Sequence, residues 1–232
     1  MARQIVLDTE TTGLEPSQGH RIIEIGCIEV INRRVTDNHW HHYINPDREV
    51  DAGAFNVHGI SNEFLQDKPR FHELVDDFLQ YIKGAELIIH NAPFDVGFLN
   101  NEIKLLDDSK PSIGEICSVL DTLVMARQKH PGQKNNLDAL CRRYEIDNSH
   151  RTLHGALLDS EILAEVYLLM TGGQTALTLE AEDGEQADHV EGVSVATINN
   201  AGLTLWKVSE EDLGHHQDYL KMLQEKSGQC SW

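Results

Sequence analysis

The break in composition at Thr171-Gly172-Gly173 sets what this chain can fold into. From there to Trp206 there are six acidic residues, no Lys or Arg and few large apolar residues, so the segment repels itself and has nothing to bury. Core-forming sequence is confined to the first 170 residues, enough for one substantial hydrophobic core. The expected organisation is a folded domain over 1–170, a flexible acidic linker over 171–204 and a C-terminal segment over 205–232. In that last segment Ser209-Glu210-Glu211-Asp212 reads as a helix-capping box, with Leu213, Leu220 and Leu223 near one face.

Within the domain the periodicity of apolar residues changes from strand to helix. Ile5 to Asp8 reads as a buried strand ending at polar threonines and Gly13. Arg21 to Val30 and Val35 to Ile44 read as two more, joined by the polar Asn32-Arg33-Arg34 turn, giving an antiparallel start. Phe71, Leu74, Val75, Phe78, Leu79 and Ile82 recur at helical spacing, with Gly84 as the stop. Leu87 to Ile89 is a buried strand, Pro93 opens a helix through Leu106, and Cys117 to Leu120 is a further strand. Asp121 is placed as the N-cap of a helix through Arg127, and two more helices fit Leu137–Tyr144 and Ala156–Leu169. The expected class is α/β, a mixed sheet of three antiparallel strands followed by parallel ones, flanked by helices.

Charge and cysteine usage restrict function. The chain carries 38 acidic against 19 basic side chains, a net charge of -19, the wrong sign for gripping phosphates over a broad surface. Cys27, Cys117, Cys141 and Cys230 show neither disulfide-framework nor zinc-ligand spacing, which fits a reducing cytoplasm. No signal peptide and no apolar run long enough to span a bilayer is read from the sequence.

Four acids and one histidine carry the chemistry. Asp8 and Glu10, two apart at the end of a strand, project from one face, and hard oxygen donors of this kind suit Mg²⁺ or Mn²⁺. A solvated turn bearing two acids would read the same way. Asp95, near the start of its helix, either joins them or merely favours the helix dipole. Asp159 lies on the last helix of the domain, and His154, in the lead-in to that helix before Gly155, is expected to be mobile.

Taken together, Asp8-Thr9-Glu10-Thr11-Thr12-Gly13, His90-Asn91-Ala92-Pro93-Phe94-Asp95 and His154-Gly155-Ala156-Leu157-Leu158-Asp159 resemble the three motifs of the DEDDh exonuclease family, in family order. The segments Asn56 to Ser61, Asp121 to Arg127 and Pro131 to Cys141 are similar to those of the epsilon subunits of bacterial DNA polymerase III. The resemblance covers nearly all of residues 1–170 and implies a ribonuclease-H-like fold. It further implies a proofreading 3′→5′ exonuclease using two divalent cations: Asp8, Glu10 and Asp159 as ligands, Asp95 assisting through water, and His154 as general base. Glu10, Thr11 and His58 would then flank the terminal nucleotide, although His58 alone is equally an ordinary loop histidine.

Residues 1–170 hold 16 basic and 27 acidic side chains, so DNA affinity must come from the metals, from stacking of a frayed single-stranded 3′ end on residues such as Leu14 or Phe94, and from tethering. Gln174, Leu177 and Leu179 resemble the sliding-clamp motif of epsilon subunits. Trp206, Leu213 and Leu220 belong to a stretch resembling the segment that binds the polymerase alpha subunit. The resemblance also allows a small accessory subunit on the exonuclease domain. A DEDDh enzyme acting on RNA would share the same site residues; the tail favours the polymerase role.

Overall fold

Ile5, Val6 and Leu7 are each fully buried, the mark of a strand covered on both faces. They lie in β1 (Arg3–Thr11), the central strand of the computed structural model, which describes residues 3–172 apart from 108, 150 and 152, together with 214 and 220–222. After β1 come β2 (Ile22–Ile31) and β3 (Arg34–Tyr43), then α1 (Ala52–His58), α2 (Asn62–Leu65) and α3 (Phe71–Ile82). The chain continues through β4 (Glu86–Ile89), α4 (Ala92–Leu106), α5 (Ile113–Ile116), β5 (Ser118–Asp121), α6 (Thr122–Lys129), α7 (Leu137–Tyr144) and α8 (Ala156–Thr171). The chain divides into two units, Met1–Leu177 and Thr178–Trp232, and the elements β1 to α8 belong to the first.

The sheet order is β3-β2-β1-β4-β5, with β1, β2 and β3 antiparallel and β4 and β5 parallel to β1. That is the mixed α/β arrangement expected. Alternation along β1 sorts its side chains between two cores. Ile5 and Leu7 pack with Phe71, Phe78 and Phe98 of α3 and α4, whereas Val6 packs with Leu163, Ala164 and Tyr167 of α8. Asp8 and Glu10 share the parity of Val6 and so belong on the α8 side.

Three helices escape the sequence reading. α1 buries only His58, α2 only Leu65 and α5 only Ile113, so none displays an apolar stripe. The first is set by local chemistry, Gly59 closing it in the left-handed conformation at φ 71°. β1 also runs further than expected, keeping its pairing with β2 through Glu10 before the register shifts at Thr11.

Gly26 of β2 lies opposite Asp8, and a Cβ there would overlap the backbone of Ala156 and Leu157 at the start of α8. The Ser160 hydroxyl, one turn along, donates to the Gly26 carbonyl at 2.9 Å. Gly26→Ala must therefore push the first turn of α8, and Asp159 with it, off the sheet. We expect a loss of about 1–3 kcal/mol in stability, read by thermal melting. Activity should fall about a hundredfold, since ångström misplacement of a reacting group costs that much. Unchanged activity would show that α8 shifts without moving its carboxylate.

Candidate active site

The β1 alternation brings Asp8 and Glu10 to the face under the first turn of α8, where Asp159 sits 4 % exposed. Oxygen or nitrogen donors of Glu10, His154 and Asp159 lie within 4.8 Å of one another. Thr9, of opposite parity, donates its hydroxyl to Asp95 Oδ1 at 2.7 Å, tying the first turn of α4 to the same strand end. Asp8, Glu10, Asp95, His154 and Asp159 all line one cleft of about 400 Å³. Five residues separated by up to 151 positions thus line one cleft, and three of them, Glu10, His154 and Asp159, bring donor atoms within 4.8 Å of one another.

Electrostatics follow from crowding. Asp8 is raised well above the usual carboxylate range, by burial first and then by the charges of Asp95, Glu10 and Asp159. Glu10 is pushed up to about 8 by burial, by Asp159, and by Glu24, its direct cross-strand partner on β2. Asp95 is raised because burial outweighs its hydrogen bonds with Thr9. Such a cluster is short of positive charge, and its donors are hard oxygens, so the residues present fit a divalent cation.

Asp159 departs from this trend. Burial works to raise it, but hydrogen bonds from His154 and Arg151, together with the Arg151 charge, hold it low. Arg151 is the residue that sequence reading missed. Its Nε and Nη2 form a fork on the Asp159 carboxylate at 2.5 and 2.6 Å, Nη1 donates to Asp138 at 2.7 Å, and Nη2 lies 2.9 Å from His154 Nδ1. With Asp159 Oδ2 also 3.3 Å from Nδ1, the imidazole expected to be mobile is anchored on that nitrogen. The remaining ring edge is open, the His154 side chain being 46 % exposed. The only sequence signal was a basic residue three before His154.

A second depression adjoins the first, sharing Thr9, Glu10 and Phe94 and adding Thr11, Leu14 and His58. Leu14 is 78 % exposed there, with Phe94 beside it. His58 ends α1 and is buried, its Nδ1 accepting from the Ile60 amide at 3.0 Å. Burial holds its pKa below the usual histidine value, so at neutral pH it stays uncharged. Gln174, Leu177, Leu179, Trp206 and Leu213 lie outside the described residues; Leu220 is half-buried in a helical turn. Among the described residues no helix is long and apolar enough to cross a membrane.

A five-stranded mixed sheet with an acid cluster at the central strand end is a ribonuclease-H-like architecture, and the family match makes it that of an exonuclease. The family model described as Exonuclease matches residues 5–167. The solved structure of exonuclease X in complex with 5′ overhanging duplex DNA superposes with a TM-score of 0.58 at 26% identity, covering 73% of this chain and 91% of that one. DNA polymerase III subunit epsilon of Salmonella typhimurium is 54% identical over 237 residues, covering 100% of this chain and 98% of the relative. The same subunit of Haemophilus influenzae is 54% identical over 242 residues, covering 99% and 94%. The chain belongs to the exonuclease family and, within it, to the epsilon subunits of DNA polymerase III. It is a hydrolase of phosphodiester bonds.

Proposed function

We propose that this chain removes mismatched nucleotides from the 3′ end of DNA as the proofreading subunit of a bacterial replicative polymerase, with Asp8, Glu10 and Asp159 holding two divalent cations, Mg²⁺ or Mn²⁺. The observation that carries the proposal is the meeting of Glu10, His154 and Asp159 donor atoms within 4.8 Å, beside the further carboxylates Asp8 and Asp95. Cations bound there supply an acidified water and stabilise the leaving 3′ oxygen.

The chain's own residues do the rest. His154, anchored through Nδ1, offers its other nitrogen to take the proton of the attacking water. Asp95, fixed by Thr9, orients water within the same cleft. Glu10, Thr11 and His58 surround the terminal nucleoside, and Leu14 and Phe94 supply apolar faces for its base. A mismatched end reaches this depression more readily because its unpairing is already done.

Tethering completes the assignment. Residues 205–232, through Trp206, Leu213 and Leu220, bind the polymerase alpha subunit; Gln174, Leu177 and Leu179, in the linker over 171–204, engage the sliding clamp. A small accessory subunit on the exonuclease domain over 1–170 is compatible with this, and the assembly works in the cytoplasm. Attachment raises the effective concentration of the site at the primer end without contacts of its own.

The test compares 5′-labelled single-stranded DNA and RNA of one sequence, with Mn²⁺ and with chelator. Metal-dependent shortening from the 3′ end, faster on DNA and releasing 5′-mononucleotides, is the expected result. No metal-dependent release from either strand would remove the nuclease assignment, and a preference for RNA would move it to the RNA-trimming members of the family.

A further inference from the structure

In a chain of net charge -19, residues 122–144 hold five Lys or Arg against one Asp. This basic stretch covers α6, the following loop and α7. Among the described residues, Arg127, Lys129, Lys134 and Arg142 are exposed and enter no ion pair. Unpaired cations on so acidic a protein call for an anionic partner.

Their position says which. A third depression, of about 470 Å³, is lined by His90, Asn91, Arg127, Gln133, Asn135 and Asn136. It shares His90, Asn91 and Asn136 with the carboxylate cleft and no lining residue with the Leu14 and His58 depression. The carboxylate cleft therefore adjoins both of the other hollows, which do not adjoin each other through any shared residue. The loop wall of the third is held in place: Arg143 donates to Asn135 Oδ1 at 3.2 Å, Gln133 Oε1 at 2.9 Å and the Lys134 carbonyl at 3.0 Å.

We infer that this groove, lined by Arg127 and flanked in the chain by Lys134 between its lining residues Gln133 and Asn135, is a subsite for the nucleotides on the 5′ side of the scissile bond, binding their phosphates. The inference rests on the proposed exonuclease reading and extends it. A terminal nucleoside beside His58 and a scissile phosphate at the carboxylates leave the third hollow as the way out for the strand. Phosphate contacts from Arg and amide side chains position a strand without reading its sequence, as proofreading requires. The remaining DNA affinity thus lies partly in the domain itself, against the expectation from net charge.

The test is the full-length chain carrying Arg127→Gln and Lys134→Gln, singly and together. Substrates are a ten-nucleotide single strand and the p-nitrophenyl ester of thymidine 5′-monophosphate, which has nothing 5′ of the bond. The double variant should raise KM for the ten-mer about tenfold with kcat little changed, and flatten the salt dependence of log KM by about 0.7 per charge removed. Hydrolysis of the ester should be unaltered. An unchanged KM for the ten-mer overturns the inference, as does an equal loss on the ester, which would place the effect at the carboxylates or in the fold. Metal-dependent hydrolysis of the ester by the unsubstituted chain tests the site alone, so its failure is told apart from failure at the groove.

Discussion

Asp8→Asn should cut metal-dependent nucleotide release at least about a thousandfold, the equivalent of roughly 4 kcal/mol in the barrier, while making the metal-free protein more stable. The two effects have one cause. Asp8 stands among Glu10, Asp95 and Asp159, and its carboxyl is raised by burial and by those neighbours. Removing the carboxylate relieves the cluster, so the variant should melt higher than the unsubstituted chain in chelator. A variant that lost activity and melted lower would have lost its fold instead, and one that kept activity would take Asp8 out of the metal set.

The same crowding gives a pH dependence with a definite sign. Glu10 ionises near 4.5 when unfolded and near 8 in the folded protein without metal, so between these values the native state holds the extra proton. Stability in chelator should therefore fall as pH rises from about 4.5 to about 8. Mn²⁺ should raise the melting temperature more at pH 8 than at pH 5, since a cation stabilises the ionised carboxylates. In Asp159→Asn the slope in chelator should flatten, Asp159 being the like charge that raises Glu10 most after burial.

How much of this was legible in the sequence depends on the kind of signal. Asp8 and Glu10 were readable because strand period places them on one face, and the turn at Asp121 because a short acid before a helix caps it; Asp121 accepts from the Leu123 and Val124 amides. The burial of β1 followed from Ile5-Val6-Leu7. What escaped has no period. Arg151 reaches Asp138 thirteen residues back and Asp159 eight ahead, spacings that align on no helix or strand face. Glu24 opposes Glu10 only through the β1–β2 register, which a strand sequence alone leaves free by a residue in either direction. The third groove depends on loop 133–135 being held by Arg143, a tertiary fact with no local signature.

His154→Ala should lower kcat by about 10²–10⁴, the range that a positioned general base contributes, with Mn²⁺ affinity within about threefold of the unsubstituted chain. The two contacts on Nδ1 explain the geometry needed. A proton on Nδ1 given to Asp159 Oδ2 leaves the Nε2 lone pair free for water, whereas Nδ1 accepting from Arg151 Nη2 puts the proton on Nε2 and blocks it as a base. Only the first tautomer can take a proton at the exposed edge, so Asp159 both orients and enables the histidine. His154 also falls within 4.8 Å of the Glu10 and Asp159 oxygens, close enough to compete as a ligand. Calorimetric Mn²⁺ titration separates the roles. Loss of metal affinity in step with kcat would place the imidazole in the coordination set, while intact affinity with collapsed turnover leaves proton transfer as its work.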